Sequence, residues 1–258
     1  MALRFDHIVF GPIKSRRLGN SLGINLLPRN GKVCTFDCIY CECGWNADGR
    51  EDTSLPGFNE VCASLEEGIA RCSKEGVSID TITFSGNGEP TLHPDFPAII
   101  DRTLELRDRY YPQAKVSVLS NATQLGREGI KEALSKVDNP ILKIDSASED
   151  FARLVDRPVS GHYSVSSVEK ELEWFQGDFI LQTMFLRGKD GLQEIDSTEP
   201  ALVREWTELV LRLRPREVMM YTLDRVPPLK TLGKVTVGEM EAIAAPLVAA
   251  GITVQIKG

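Results

Sequence analysis

Four of the six cysteines, Cys34, Cys38, Cys41 and Cys43, crowd into one short stretch, while Cys62 and Cys72 stand apart. In Cys34-Thr-Phe-Asp-Cys38-Ile-Tyr-Cys41 three thiols can face one compact object only if the loop wraps around it. Soft thiolates suit zinc, copper(I) or an iron–sulfur cluster. A structural zinc normally takes four ligands in two separated pairs, and the chain supplies no second pair: its histidines are His7, His93 and His162. A redox dithiol would use Cys38 and Cys41 and leave Cys34 surplus. A 4Fe–4S cluster on three protein thiolates employs all of Cys34, Cys38 and Cys41 and leaves one iron open to a ligand. Two non-catalytic alternatives stand beside it: a metal-binding structural module and an electron-transfer iron–sulfur protein.

Other segments carry chemistry of their own. In Ser85-Gly-Asn-Gly88-Glu89-Pro-Thr-Leu-His-Pro94 the glycines let backbone approach a ligand closely and Glu89 can accept from an ammonium group; an ordinary strand-to-helix turn is the plainer explanation. Val118-Leu119-Ser120-Asn121-Ala122 ends in residues that suit either a pocket wall or a turn. In Leu142-Lys143-Ile144-Asp145-Ser146, alternation puts Lys143 and Asp145 on one face of a strand, where buried charge is costly unless paired or placed in a site. They are the candidate catalytic residues, with a structural Lys–Asp pair as the competing explanation. Cys62 and Cys72 are poorly spaced for a second cluster and suit small apolar roles.

The CX3CX2C pattern, with Tyr40 before its last cysteine, resembles the signature of the radical S-adenosylmethionine (SAM) superfamily. Gly88-Glu89-Pro90, one β/α unit later, resembles that family's GGE motif, with Asn87 in the place of its first glycine; Ser120-Asn121 resembles a Thr-Asn-Gly segment. The resemblance implies one 4Fe–4S cluster per chain on Cys34, Cys38 and Cys41, and SAM as cofactor. It implies SAM contacts from Gly88 and Glu89 (methionine amino group), Ser120, Asn121, Lys143, the Tyr40 backbone and Tyr221 (adenine). The implied reaction is reductive cleavage of SAM to a 5′-deoxyadenosyl radical that abstracts hydrogen from a substrate, fed by a reductase or flavodoxin-type donor. Residues 11–28, the Gly88-Glu89-Pro90 region and Asp156-Arg157-Pro158 together resemble a bacterial group related to wyosine-tRNA synthases, and more distantly molybdenum-cofactor biosynthesis enzymes. A tRNA base and a small molecule are both open as substrate.

These residues need a scaffold. Short apolar or β-branched runs predict strands at 22–27, 81–84, 115–119, 140–144, 179–185, 217–221 and 252–256. Amphipathic stretches between them predict helices at 59–74, 95–109, 127–136, 166–175, 199–213 and 237–249. Such alternation implies a mainly parallel sheet with helices outside it. Six to seven β/α units fall short of an eightfold barrel, so an open, partial parallel β/α barrel of radical SAM type is expected, formed as one domain over 1–258, with its chemistry at the C-terminal strand ends. The strands read as near-continuous apolar runs, as if buried on both faces. A net charge of −7 opposes broad nucleic-acid binding, although Lys14, Arg16 and Arg17, with Arg29 and Lys32 nearby, form a basic cluster that suits either a solvated loop or a local basic site for a substrate such as tRNA. Without a signal-peptide pattern or a spanning apolar run, a cytoplasmic protein with no membrane partner is expected.

Overall fold

The computed structural model describes residues 4–258. The chain opens with a hairpin of β1 (Val9–Ser15) and β2 (Gly19–Ile24), followed by the cysteine loop and α1 (Phe58–Lys74). It continues through β3 (Thr81–Phe84), α2 (Phe96–Tyr110), β4 (Lys115–Ser120), α3 (Ile130–Ser135) and β5 (Asn139–Lys143). Then come α4 (Glu149–Asp156), α5 (Val165–Leu172), β6 (Ile180–Met184), β7 (Leu186–Asp190) and β8 (Gln193–Asp196). The chain closes with α6 (Pro200–Leu213), β9 (Glu217–Tyr221), β10 (Gly233–Lys234), α7 (Val237–Ala249) and β11 (Thr253–Lys257).

Eight strands form one sheet in the order β1-β2-β3-β4-β5-β6-β9-β11. Every neighbouring pair from β2 to β11 is parallel; β1 alone runs antiparallel. The sheet curls into the expected partial barrel. Its outward residues, Ile82, Phe84, Val116, Val118, Leu142, Leu181, Val218 and Met220, join the main core with the helices. Helix α1 shows why: Val61, Leu65, Ile69 and Cys72 recur at near-helical spacing and form its buried stripe.

The inward faces differ from the continuous apolar runs expected. Thr81 and Thr83 alternate with Ile82 and Phe84, and a hydroxyl ladder crosses three strands: Ser21 Oγ donates to Thr83 Oγ1 at 2.8 Å, and Thr81 Oγ1 lies 2.8 Å from Ser117 Oγ. The ladder satisfies polar groups that would otherwise be buried without partners. Above it, Leu18 from the β1–β2 turn packs with Leu119, Ile141, Ile180 and Met219 inside the curl.

Most expected elements are present, with differences that have local causes. The 22–27 strand ends at Ile24 and pairs back to β1, which carries an irregularity between Phe10 and Ile13; Pro12 is tolerated there because an edge strand need not donate on its free side. The 166–175 helix is α5 followed by a tight turn, Glu173–Phe175. Helix α4, capped by Ser148 accepting from Phe151 N, and the small β10-β7-β8 sheet were not expected. Asp190-Gly191 at its β7–β8 turn is hairpin chemistry, with Gly191 at φ +60°.

Candidate active site

The cysteine loop is held from three sides. Val33 N donates to Asn87 O at 3.0 Å and Glu89 N to Val33 O at 3.1 Å, zipping the loop to the segment after β3. Gly88 sits at φ +136°, and a Cβ there would lie 1.9 Å from the Val33 carbonyl oxygen, so only glycine permits the approach. Asn87 is fully buried and turned to the N-terminal segment, its amide donating to Phe5 O and Pro28 O at 2.8 Å. On the other side Asp37 N donates to Asp156 O and Ile39 N to Val155 O, both at 3.0 Å, and Val159 N to Thr35 O at 2.8 Å. Within the loop, Asn46 Nδ2 donates to Phe36 O at 3.0 Å.

Thus fixed, Cys34, Cys38 and Cys41 line one cavity of about 270 Å³. Tyr40, Gly88, Glu89, Ser120, Asn121, Lys143 and Tyr221 line it too. These residues come from the C-terminal ends of β3, β4, β5 and β9, as parallel β/α folds place their chemistry. Asp145 does not line the cavity. It lies beneath the floor, accepting from Lys143 Nζ at 3.0 Å, from Met184 N at 2.9 Å and from the Tyr40 hydroxyl. Its geometry is that of a group orienting Lys143.

Glu89 is buried and accepts from Thr91 N (3.1 Å), Thr91 Oγ1 (2.5 Å), Ser120 Oγ (2.9 Å) and Asn121 N (2.7 Å). Burial raises its pKa, and these bonds work against that rise. Asn121 Nδ2 donates to Thr35 Oγ1 at 2.8 Å and lies 3.6 Å from Cys34 Sγ, joining the β4 end to the first cysteine.

Two acidic neighbours flank Lys143: Asp145 and Asp156, the latter also accepting from Cys38 Sγ at 3.4 Å. Burial opposes charge on Lys143, but the two carboxylates outweigh it and hold the ammonium protonated. One cation cannot fully compensate two buried carboxylates, so burial lifts Asp156 to about 7. In the sequence Asp156 stands only as part of the Asp156-Arg157-Pro158 segment. No role was assigned to it, because the pairing is made by the fold.

Of the two settings the sequence allows for the basic residues, Lys32 occupies a buried one. Its side chain is 1% exposed, not solvated, and donates to Gly44 O at 2.8 Å and Asp37 Oδ1 at 3.3 Å. Burial disfavours its charge, yet Cys41, Cys34, Cys38 and Asp37 together raise its pKa. Burial pushes the Cys34 thiol up to about 12 and raises Cys38 well above the usual thiol value, while Cys41 falls to about 6 through a hydrogen bond from Cys43, aided by Lys32. Cys43 also donates to Gly86 O at 3.2 Å. Cys72 sits in the helix core, and neither it nor Cys62 lines this cavity.

The donor set fits an iron–sulfur cluster. Among the described residues no three His, Cys, Asp or Glu side chains converge on a single-ion site. The three soft thiols are instead spread around a cavity, with a buried ammonium behind them to offset negative charge.

Comparison with known proteins agrees with this geometry. A protein of Methanocaldococcus jannaschii described as a UPF0026 protein is 30% identical over 85% of this chain and 64% of its own length. A Brachyspira hyodysenteriae protein named GTPase Obg is 29% identical over 84% of this chain but only 30% of its own. The chain thus spans less than two thirds of both relatives. The GTPase name does not carry over: Gly31-Lys32, Gly188-Lys189 and Gly233-Lys234 are followed by Val, Asp and Val, whereas a phosphate-binding P-loop needs Gly-Lys-Ser/Thr. Streptococcus suis SuiB bound to the precursor peptide SuiA superposes with a TM-score of 0.65 at 15% identity, over 92% of this chain and 48% of SuiB. The structure of TYW1 with a lysine-pyruvate adduct gives 0.60 at 16%, over 89% and 73%. At such identities the likeness is one of fold. Residues 31–178, which include the cysteine loop and the segments after β3, β4 and β5, match the family model of the radical SAM superfamily, and the chain belongs to that superfamily.

Proposed function

We propose that this chain is a single-domain radical SAM enzyme carrying one 4Fe–4S cluster on Cys34, Cys38 and Cys41. The convergence of those thiols with Glu89, Asn121 and Lys143 on one cavity supports it most directly. With cluster and SAM bound, the chemistry supplied is one-electron cleavage of the sulfonium to methionine and a 5′-deoxyadenosyl radical, which takes a hydrogen atom from substrate.

The protein's part is binding and orientation. Glu89, fixed by its four hydrogen bonds, presents a carboxylate edge to an ammonium group beside Gly88. Lys143, locked between Asp145 and Asp156, offers a fixed positive charge to a carboxylate of SAM or substrate. The Tyr40 hydroxyl is tied to Asp145; the Tyr40 backbone reads adenine, with Tyr221, which packs in the same cluster, as a second contact. Buried Lys32 offsets the charge of the thiolates and dehydrates the site behind the loop. The substrate, a tRNA base or a small molecule, enters past Arg16, Arg17 and Arg225 at the mouth. Electrons come from a reductase or flavodoxin-type donor.

Anaerobic reconstitution followed by SAM and dithionite tests the proposal. We expect about four irons per chain and release of 5′-deoxyadenosine, both lost when the three cysteines are changed to alanine. Cluster-loaded protein that leaves SAM intact, or about eight irons per chain, would overturn it. A gel shift at low salt separates the substrates: no retardation of tRNA removes the tRNA base.

A further inference from the structure

The mouth of the cavity carries three arginines, and two of them are already engaged. Arg16 reaches Asp224 at 3.2 Å and the Gly258 carbonyl at 2.5 Å. Arg225 reaches Glu42 at 2.9 Å. Arg17 differs: among the described residues it makes no ion pair, and its Nη1, buried from solvent, has no hydrogen-bond partner. Its guanidinium carbon lies over the Tyr221 ring, 4.8 Å from the centroid. Its backbone is equally fixed, because Arg17 N and Leu18 N both donate to Ser15 Oγ, at 3.3 and 3.2 Å. The Leu18 side chain is anchored among the inward residues of β4, β5, β6 and β9.

A buried N–H donor without an acceptor is costly, more so when charged, and is rarely retained without a partner. A guanidinium stacked on an aromatic ring keeps its edge free for a planar oxyanion. Arg17 lines the same cavity as the cysteines. In the proposed assignment an ammonium of the cosubstrate already has Glu89 and a carboxylate has Lys143, which follow β3 and end β5, whereas Arg17 comes from the β1–β2 turn. A second cavity of about 240 Å³ continues outward from Arg17 and is lined by Lys14, which also lacks an ion pair among the described residues.

We propose that Arg17 is the specificity residue for the second substrate, receiving a phosphate or carboxylate group on that molecule, with Lys14 extending the site for a longer anion. The substrate is therefore an anion, although the chain as a whole is acidic. This rests on the radical SAM assignment of the cavity, but its test does not depend on turnover.

Reconstituted protein, saturated with SAM, is titrated calorimetrically with inorganic pyrophosphate and, separately, with succinate; SAM affinity is measured in its own titration. Wild type should bind at least one probe, and the tighter of the two names the anionic group. Arg17→Ala should weaken that binding at least tenfold and Lys14→Ala a few-fold, while Arg17→Lys restores part of it. SAM affinity and the unfolding midpoint should change little in all three. Failure of wild type to bind either probe, unchanged binding by Arg17→Ala, or an equal loss of SAM affinity in that variant each overturns the proposal; the last would hand Arg17 to the cosubstrate. Absence of SAM binding by wild type would instead sink the assignment of the cavity, leaving the anion titrations, repeated without SAM, to decide Arg17.

Discussion

At the scale of single residues, the site depends on groups whose surroundings leave them little choice. Gly88 is the sharpest case, since any side chain meets the Val33 carbonyl at 1.9 Å. Gly88→Ala should push the cysteine loop away from β3, and iron retained after anaerobic reconstitution should fall to less than about half of wild type, for a loop misplaced by about 1 Å no longer presents its ligands. Full iron loading would show that the contact is dispensable. Lys143 answers to a different test. Its removal leaves Asp145 and Asp156 facing each other without a cation, and breaking a buried pair in this way costs about 3–5 kcal/mol. Lys143→Ala should therefore lower denaturant stability markedly, whereas Lys143→Met combined with Asp156→Asn should recover much of it. In the folded double variant the lost charge should weaken SAM binding about tenfold, the effect of one charge-assisted hydrogen bond. Wild-type SAM affinity there would assign Lys143 a structural role only.

At the scale of elements, the strands reach their register through polar ties as much as through apolar faces. Asp138 precedes β5 and accepts from Val116 N at 2.8 Å, Arg107 Nη1 at 2.9 Å and Lys115 Nζ at 3.3 Å, joining α2, β4 and β5. Burial works against its charge, but those donors win and hold its pKa below the usual carboxylate range. A depressed folded pKa contributes stability that is present above the unfolded value near 3.9 and is lost as pH falls through the folded one. Asp138→Asn should thus lower the thermal midpoint at pH 7, by roughly 1–2 kcal/mol in stability terms, and the deficit should shrink as both proteins are acidified below about pH 4. A deficit independent of pH would place the effect in shape rather than charge. Helix α7 carries a simpler device, a capping box between Thr236 and Glu239, recognisable as Thr-x-x-Glu in the sequence.

The molecule as a whole is an open barrel whose gap lies between β1 and β11. The β1–β2 turn reaches over this gap: Arg16 bonds the carbonyl of Gly258, just past β11, and Leu18 plugs the interior. The hairpin therefore makes one side of the cavity as well as an edge of the sheet. Leu18→Ala should cost about 1–2 kcal/mol in denaturant unfolding, less than a fully buried leucine because Leu18 is only half-buried. It should also loosen Arg17 over Tyr221 and so weaken probe binding without touching the iron content. A variant with wild-type stability would mean that the plug is not packed in solution. No helix among the described residues is long and apolar enough to cross a membrane, so none competes with this packing.

The order of the motifs, the parallel alternation and the cysteine spacing were legible in the sequence, because each is a local pattern: thiolate spacing limits what a loop can hold, and hydrophobic period separates strand from helix. Lys143 and Asp145 could be placed on one face for the same reason. The partners could not. Asp156 meets Lys143 across 13 positions, Arg17 meets Tyr221 across 204, and Lys32 looked like a surface base until the loop folded over it. Such contacts exist only after the sheet has curled, since burial and proximity, which turn a charge into a site, belong to the three-dimensional arrangement and to no stretch of chain. The hairpin that closes the barrel was missed on the same ground. Its strand is broken by Gly-Pro, and what holds it is the far end of the molecule.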